Sequence, residues 1–402
     1  MLSLHSCPTA ELGGRDAGGM NVYVQSVCQE LALQGMKVDI FARLHDKTDP
    51  LIIKLGPNTR LIHIEAGPPE TPKHELYPYL PTFVENFRNY CQETGEEYDL
   101  LHSHYWLSAI VGEQVAKRWG IPHVTTFHTL AKVKEMAQAK SQEPILRSDA
   151  ERYISDTSDA LVVSHNHEHE ALVQLYGASS DKIYIVPCGV DTNLFHPMSQ
   201  KHSQQVLGLT GRPVVLFVGR ADPVKGADLL LHAIASIGED QEADILMVGG
   251  DPKKDPEAQR LQKLSESLGL SDKVRFEGII PQEKLPLYYN AAEMLVMPSY
   301  SESFGLVALE AMACGTPVIA ARVGGLSSLI KDGGSGYLVS WHCPEPYATR
   351  IEVLLSHPQF TKTLGKAAYE FATTQTWEAS ATKLIKVYAN LIKSHQADSV
   401  EV

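Results

Sequence analysis

Two glutamates in the C-terminal third of the chain are the side chains best placed to do chemistry. Glu302 lies in a polar loop after the apolar run Met294–Met297, and Glu310 lies eight positions further along. A helix is predicted from about residue 305 to residue 315, because the apolar segment ends at a glycine that a proline soon follows. The first N–H groups of a helix have no partner within it. Donors for an anion and acceptors for hydroxyl groups therefore share one region.

The two carboxylates allow two chemical interpretations. They could act as the acid and base of a glycosidase, whose carboxyl groups lie about 5–9.5 Å apart, or they could bind sugar and ribose hydroxyls. The segment around Glu310 is almost wholly apolar, which predicts a buried side chain rather than an ordinary exposed one. Because this glutamate lies in a helix beside phosphate donors, hydroxyl binding is the favoured interpretation.

A second candidate loop carries two cations. Arg220 and Lys225 follow the apolar run of residues 213–219, and Gly226 precedes the next helical segment. Open α/β sheets bind ligands at the carboxyl ends of their strands, and an arginine with a lysine there suits a diphosphate. The alternative is a solvated basic pair, which the position at a strand end disfavours.

The N-terminal segment has a glycine-rich loop between a predicted strand and a predicted helix. The strand covers residues 2–5, the loop residues 10–20, and helical spacing begins at Val22. Small residues let a phosphate approach the backbone closely, and a helix N-terminus favours an anion. The spacing is not Gly-x-Gly-x-x-Gly, so a dinucleotide site is not supported, and a mobile surface loop stays the alternative.

Histidines mark two further strand ends. His102 and His104 end one apolar run, and His128 ends another. His165 and His169 have the i, i+4 spacing of zinc ligands, but no third ligand is indicated, so we expect a solvated helix start and no metal. Four residues of the N-terminal half could bind an anion, although nothing in their spacing predicts that they converge: Lys73, Tyr105, Thr129 and Arg147.

Short apolar runs alternate with helical segments along the whole chain. This alternation predicts parallel sheets that are covered on both faces. One series ends at a polar, proline-containing stretch that starts at Asp191, and a second series begins at Pro213. We therefore predict an α/β fold with two doubly wound domains, residues 1–195 and residues 196–375, that face one another and bind ligand between them.

The composition excludes several classes of partner. Lysine and arginine number 35 and aspartate and glutamate 48, a net charge of −13, so the chain has no general attraction for nucleic acid or anionic membranes. No apolar run approaches the roughly 20 residues of a membrane span, and the strand predicted near Met1 leaves no room for a signal peptide. The six cysteines lack C-x-x-C spacing, and we expect buried, reduced thiols in a cytoplasmic protein.

Three motifs together resemble a known family. They are the Glu-x7-Glu element within Ser-Glu-Ser-Phe-Gly-Leu-Val-Ala-Leu-Glu, the Gly-Gly-Met-Asn-Val-Tyr loop, and the Val-Gly-Arg segment that leads to Lys225. In this order, over nearly the whole chain, they are similar to the retaining family 4 glycosyltransferases. The resemblance implies the GT-B fold, in which two Rossmann-like domains face one another and a C-terminal helix, here residues 376–402, returns to the first domain.

The same resemblance implies roles for individual residues. Glu302 would contact the transferred sugar, Glu310 the ribose, and His128 the C6 hydroxyl, and retention would follow from front-face attack assisted by the donor phosphate. No metal or other cofactor is implied. The implied catalytic residues are His128, Arg220, Lys225 and Glu302. The residues implied to bind the donor, a UDP-sugar, are Gly18, Gly19, Arg220, Lys225, Glu302, Phe304, Gly305, Leu306 and Glu310. Those implied to bind a phosphorylated acceptor are Asn21, Lys73, Tyr105, Thr129 and Arg147.

Two branches of the family share further sequence with the chain. The branch that glycosylates 1D-myo-inositol 3-phosphate in mycothiol synthesis matches at residues 16–23 and 102–108, which implies UDP-N-acetylglucosamine as donor. Sucrose-phosphate synthases share the Ala66-Gly-Pro-Pro run, which implies UDP-glucose and fructose 6-phosphate, and Phe127 departs from the first branch. A phosphorylase with lysine-bound pyridoxal phosphate and a non-enzymatic nucleotide-sugar-binding module are disfavoured, and the chain could form a homodimer.

Overall fold

The computed structural model describes residues 1–10, 18–137, 143–209, 211–238 and 242–400. The chain divides into two compact units. Unit 1 comprises Met1–Pro187 and Trp377–Val402, and unit 2 comprises Cys188–Thr376. The first division thus falls before Cys188, whereas the sequence pattern places a boundary after residue 195.

Unit 1 contains one group of short strands with helices between them. Its strands are β1 Val38–Arg43, β2 Ile52–Gly56, β3 Thr59–Ile64, β4 Leu101–His104, β5 His123–Thr126, β6 Ala160–Val163 and β7 Ile183–Ile185. Its first helices are α1 Gly19–Leu33, α2 Leu80–Thr94, α3 Trp106–Trp119, α4 Ala131–Ala137, α5 Ile145–Thr157 and α6 Asn166–Ala171. Short 3₁₀ or π turns cover Lys73–Glu75, Tyr77–Tyr79, Leu172–Tyr176 and Ser180–Lys182.

The predicted strand at residues 2–5 is reduced to one bridging residue, which corrects the sequence interpretation. Leu2 pairs in parallel with both Phe41 and Ser103, and its N–H donates to the His102 carbonyl at 2.8 Å. Leu2 thus joins the order β2-β3-β1 to the order β4-β5-β6-β7. The chain runs from Leu2 to β1 on one side and later to β4 on the other, so the strand order reverses here, where α/β sheets bind ligands.

Unit 2 has a six-stranded parallel sheet. Its strands are β8 Val214–Val218, β9 Asp244–Val248, β10 Val274–Gly278, β11 Met294–Met297, β12 Val318–Ala321 and β13 Gly336–Val339. Its helices are α7 Gln200–Val206, α8 Ala227–Ala235, α9 Pro256–Ser267, α10 Leu285–Ala291, α11 Leu306–Ala313, α12 Leu326–Leu329, α13 Pro344–Ser356 and α14 Pro358–Ala372, with short 3₁₀ turns at Pro223–Lys225 and Gln282–Lys284.

The order of these strands creates a switch point in the middle of the sheet. The order is β10-β9-β8-β11-β12-β13, so the chain starts at β8, moves outward to β10 and returns to β11 on the other side. Five of the six strands, all except β10, are buried along their whole length, as expected for a parallel sheet covered by helices. The loops after β8 and β11 therefore share the ligand-binding edge.

The last helix, α15 (Trp377–Val400), belongs to unit 1 although it follows unit 2 in the chain. The Trp377 ring lies 5.7 Å from the ring of Tyr23 in α1, and the Tyr388 hydroxyl lies 2.6 Å from Nδ1 of His102. The predicted return of this helix to the first domain is confirmed.

Strand β2, the cysteines and the helix lengths complete the comparison with the sequence predictions. The antiparallel strand β2 was not predicted, although Ile52 and Ile53 are apolar, and its residues are half-buried or exposed. All six cysteines are reduced thiols outside any disulfide, five of them buried and Cys343 half-buried. No helix among the described residues has the length and apolarity needed to cross a membrane.

Candidate active site

The switch point of the unit 2 sheet brings two loops into contact, residues 219–226 after β8 and residues 298–305 after β11. Gly226 has a φ of +67°, and a Cβ there would overlap the carbonyl oxygen of Pro298. Only glycine combines this backbone conformation with so close an approach. The contact places Lys225, the preceding residue, against the second loop.

Lys225 and Glu302 form an ion pair across these loops. The Nζ atom of Lys225 lies 2.7 Å from Oε2 of Glu302, and the side chains are 23% and 14% exposed. Behind the pair, Gly325 N–H donates to the Glu302 carbonyl at 3.3 Å, and a Cβ at Gly324 would overlap the same carbonyl. The Glu302 backbone is therefore packed tightly, and the structure brings together two residues predicted for the donor site.

Arg220 lies in the same loop as Lys225 but closer to solvent. Its Nη2 atom lies 3.8 Å from Oδ2 of Asp222, and the two side chains are 44% and 37% exposed. An ion pair this exposed contributes about 0–1 kcal/mol. A phosphate that offers a bidentate contact can therefore compete with Asp222 for the guanidinium.

Glu310 lies in α11 and is buried, as its apolar surroundings predict. The Tyr289 hydroxyl donates to Oε2 at 2.7 Å, and Nε2 of Gln282 donates to Oε1 at 3.0 Å. Burial raises the pKa of the Glu310 carboxyl to about 7, although these two hydrogen bonds act in the opposite direction. Both carboxyl oxygens have protein partners, so a ribose hydroxyl bound here would share or replace them.

Phe304, Gly305 and Leu306 form the start of α11. Phe304 is buried, Gly305 occupies the N-cap position with a φ of +96°, and Leu306 is half-buried. The first backbone bond of the helix runs from Leu309 N–H to the Gly305 carbonyl at 3.0 Å. The N–H groups before Leu309 are those that a helix start offers to an anion.

In unit 1 the predicted acceptor residues Tyr105, Thr129 and Arg147 come together. The Arg147 guanidinium lies over the Tyr105 ring, 4.9 Å from its centre, and its Nη2 donates to Oγ1 of Thr129 at 3.0 Å. The same guanidinium pairs with Glu143 at 2.8 Å and Glu151 at 2.7 Å. These carboxylates were missed, although their four-residue spacing on either side of Arg147 is a visible signal. The buried arginine charge is thus largely compensated within the protein.

His5, which the sequence did not single out, connects this cluster with Lys73. Its ring lies 4.2 Å from the Tyr105 ring, and its buried Nδ1 atom has no hydrogen-bond partner among the described residues. Burial, followed by the nearby positive charges of Lys73 and Arg147, lowers the pKa of His5 to about 3. Lys73 itself is exposed at the start of a helical turn. A neutral imidazole therefore borders a region that contains two permanent cations.

His128 follows β5 and has a φ of +62°. Its Nε2 atom lies 3.0 Å from Nδ1 of His104, and its ring lies 5.1 Å from the Tyr23 ring. Burial lowers the pKa of His128 to about 3 and that of His104 well below its usual value. Both rings are neutral near pH 7, so one nitrogen of this pair donates and the other accepts.

Asn21 is buried and bonded within its own segment. Its Oδ1 accepts from Ser6 Oγ at 2.9 Å and from Gly18 N–H at 3.1 Å, and its Nδ2 donates to the Cys7 carbonyl at 2.5 Å. The amide thus holds residues 6–7 against the start of α1. Gly18 is the N-cap of that helix and Gly19 its first residue, while the predicted glycine-rich loop falls mainly on residues 11–17, outside the described residues.

The histidines at zinc-like spacing have other partners. Nδ1 of His165 accepts from Glu168 N–H at 3.2 Å and so caps α6, and Nε2 of His169 lies 3.0 Å from Ser180 Oγ. The i, i+4 spacing therefore has a structural explanation.

Two family models match consecutive parts of the chain. A model described as Glycosyltransferase Family 4 matches residues 17–194, and one described as Glycosyl transferases group 1 matches residues 199–371. Together with the two parallel-sheet units and the ion pair at the unit 2 switch point, they define a glycosyltransferase.

Relatives and a solved structure agree over nearly the full length. D-inositol 3-phosphate glycosyltransferase 2 of Catenulispora acidiphila is 40% identical and covers 99% of this chain and 96% of that protein. The structure of sucrose-phosphate synthase from Thermosynechococcus elongatus is 37% identical with a TM-score of 0.91 and covers 98% of both chains. HepE of Anabaena, solved with UDP and glucose, shares the fold at 19% identity and a TM-score of 0.77, over 97% of this chain and 98% of that chain. The chain belongs to the group 1 and family 4 glycosyltransferases of the GT-B fold.

Proposed function

We propose that the chain is a retaining glycosyltransferase that moves N-acetylglucosamine from UDP to 1D-myo-inositol 3-phosphate. The observation that carries this proposal is the 40% identity, over 99% of the chain, to a protein named for transfer to inositol 3-phosphate. The contacts of each unit support it independently, because unit 2 offers groups for a nucleotide sugar and unit 1 offers groups for a phosphate.

In unit 2, a cation, a carboxylate and a helix start lie close together. A departing nucleoside diphosphate gains negative charge, which preorganised donors stabilise most where water is excluded. Lys225, Arg220 and the first N–H groups of α11 would supply that stabilisation without a divalent metal. Glu302, held at 2.7 Å by Lys225, is a fixed acceptor for sugar hydroxyls.

In unit 1, Lys73 and the cluster of Tyr105, Thr129 and Arg147 would bind the acceptor phosphate. Arg147 is already paired with two carboxylates, so we assign most of the attraction for the phosphate to Lys73 and the positioning to Arg147. His128, neutral and bonded through Nε2 to His104, can exchange a hydrogen bond with a substrate hydroxyl but brings no charge.

A second candidate is transfer of glucose from UDP to fructose 6-phosphate. The TM-score of 0.91 to a sucrose-phosphate synthase favours it. Both acceptors combine one phosphate with a polyhydroxylated ring, so the contacts described above suit either.

The deciding experiment is a matrix of donors and acceptors. UDP- and GDP-linked glucose and N-acetylglucosamine are each incubated with inositol 3-phosphate, fructose 6-phosphate and glucose 6-phosphate. We expect turnover with UDP-N-acetylglucosamine and inositol 3-phosphate and, by NMR, an α-linked product. Turnover only with UDP-glucose and fructose 6-phosphate would establish the second candidate, and a β-linked product would exclude retention.

Glu302→Ala tests the donor assignment. We expect transfer to fall at least about 100-fold, the loss typical for one preorganised group, while calorimetric UDP affinity changes little because the diphosphate contacts remain. Glu266→Ala, an exposed glutamate on α9 of the same unit, is the control. Near-normal turnover of Glu302→Ala would reject the assigned role.

Lys73→Ala tests the acceptor assignment. Loss of a charge-assisted hydrogen bond removes about 1.5–3 kcal/mol, so we expect the acceptor KM to rise roughly 10- to 150-fold with little change in the donor KM. Lys117→Ala, at an exposed lysine of α3, should change neither constant. Equal increases in both KM values would contradict the assignment.

The metal-free transfer is tested by adding Mg²⁺ or Mn²⁺ to enzyme assayed in EDTA. Because Lys225, Arg220 and the start of α11 replace the metal in this proposal, turnover should persist in EDTA and neither ion should raise it more than about twofold. Background turnover in EDTA that only Mg²⁺ or Mn²⁺ restores would show that a catalytic metal is needed.

A further inference from the structure

Three potential metal ligands converge in unit 1, outside the groups assigned to substrates. Cys7 follows the bridging segment at Leu2, His45 follows β1, and His63 lies in β3. One ligand atom from each lies within 4.8 Å of the other two. Cys7 and His63 are buried, and the His45 side chain is 43% exposed.

The distance between the two buried ligands fits a shared metal ion. The Cys7 Sγ atom lies 3.4 Å from Nε2 of His63. Zinc bonds of about 2.3 Å to sulfur and about 2.0–2.1 Å to nitrogen, at a tetrahedral angle, separate the two ligand atoms by about 3.5 Å. The pair therefore already has the spacing of a metal-bound thiolate and imidazole.

The polar contacts behind the two histidines, a hydrogen bond for His63 and an ion-pair contact for His45, also suit a metal site. Nδ1 of His63 lies 2.7 Å from the Pro50 carbonyl. A carbonyl can only accept, so Nδ1 carries a proton, and in the neutral ring Nε2 then presents its lone pair toward Cys7. Nδ1 of His45 lies 3.0 Å from Oδ2 of Asp49. Carbonyl or carboxylate partners of this kind fix the tautomer and orientation of metal-bound histidines.

We propose that Cys7, His45 and His63 bind one Zn²⁺ ion, with a water molecule completing the tetrahedron. A thiolate and two imidazoles favour zinc over Mg²⁺ or Ca²⁺, which prefer oxygen ligands. The exposed His45 gives the ion a path from solvent. Binding releases the Cys7 thiol proton to water and forms the Zn–S and two Zn–N bonds, with no change of oxidation state.

The role of this ion is structural. It links three segments that are distant in sequence, and one of them is anchored to α1, because Asn21 donates to the Cys7 carbonyl at 2.5 Å. Zinc would thus hold the segment that leads to the glycine-rich loop. None of the three ligands is itself assigned to a substrate, and the proposal does not depend on the proposed function.

The test measures zinc binding to the full chain. Chelator-treated, dialysed protein is titrated with Zn²⁺ against a chromophoric competitor, and with Co²⁺ while the absorption spectrum is recorded. We expect one Zn²⁺ per chain, a thiolate-to-cobalt charge-transfer band, and a rise in Tm on adding Zn²⁺.

Substitutions at the proposed ligands test each metal bond separately. Cys7→Ser should lose the charge-transfer band. His45→Asn, at a half-exposed position where folding is not at risk, should weaken binding at least about 100-fold and abolish the Tm rise. Asp49→Asn should weaken it by about 10- to 100-fold.

Matched controls separate this site from other thiols and imidazoles. Cys343→Ser replaces the half-buried cysteine of unit 2, and His167→Asn replaces an imidazole of unit 1 that also faces a carboxylate, Glu170. Both should bind zinc as the unmodified chain does. The proposal is overturned if the unmodified chain binds zinc no more tightly than His45→Asn, if Co²⁺ gives no thiolate band, or if Cys343→Ser removes the binding.

Discussion

Replacing Glu310 by glutamine tests whether one buried carboxyl governs the pH dependence of unit 2 stability. Burial raises the pKa of this group from 4.5 to about 7. At 1.36 kcal/mol for each pKa unit, that difference corresponds to roughly 3 kcal/mol. The native pKa lies above the unfolded one, so the native state binds more protons between the two values. Stability therefore falls as pH rises through this range.

Glutamine keeps the shape of the side chain but cannot ionise. Its carbonyl can still accept from the Tyr289 hydroxyl, and its amide can bond to Gln282 once that side chain is rotated. Between pH 5 and pH 8, we expect the unmodified chain to lose about 2–3 kcal/mol more than Glu310→Gln. In a domain of this size, 1 kcal/mol shifts Tm by about 2–4 °C, so the gap should open to roughly 5–10 °C.

Scanning calorimetry at intervals from pH 5 to pH 8 measures this gap directly. Glu283→Gln, at an exposed glutamate of the same unit, is the control and should stay within about 0.5 kcal/mol of the unmodified chain. The reasoning is refuted if Tm of the unmodified chain and of Glu310→Gln run parallel across the range, or if the variant is the less stable one at pH 8.

Two further predictions concern stability in each unit. Gly226→Ala should lower the free energy of unfolding by about 1–3 kcal/mol more than Gly269→Ala does. Both glycines have φ near +70°, but only Gly226 lies against the Pro298 carbonyl. Equal losses of Tm in calorimetry would show that the overlap is not the cause. Arg147→Ala should lower the free energy of unfolding by about 3–5 kcal/mol, because it leaves buried carboxylates without a compensating charge. The double variant with Glu151→Gln should recover part of this loss in urea titrations. No recovery would show that uncompensated carboxylate charge is not the cause.

Much of the fold could be predicted from the sequence, because buried parallel strands are continuous apolar runs. The bounds of β11, Met294–Met297, coincide with the apolar run identified in the sequence. The edge strand β2 departs from this rule, because its apolar residues Ile52, Ile53 and Leu55 are half-buried or exposed rather than buried. The order of the strands in the sheet also cannot be predicted from the local sequence pattern. That β8 lies beside β11 depends on packing over the whole unit.

In the candidate site too, contacts between sequence neighbours could be predicted, whereas contacts between distant segments could not. Lys225 and Glu302 were predicted separately, yet their 2.7 Å contact depends on the adjacency of two strands that are distant in sequence. The unpartnered Nδ1 of His5 has no counterpart in any spacing rule. The partners of Arg147, by contrast, are local and could have been read from the four-residue intervals on either side of it.

The return of α15 to unit 1 has a consequence for the order of events during synthesis. The Tyr388 hydroxyl that bonds to His102 leaves the ribosome only after every residue from Cys188 to Thr376 has been translated. At 5–20 residues per second this interval lasts roughly 10–40 s. Throughout it, the surface of α1 that later meets α15 is uncovered. Most of unit 1 is thus made first, yet the unit can be completed only after unit 2 has been synthesised.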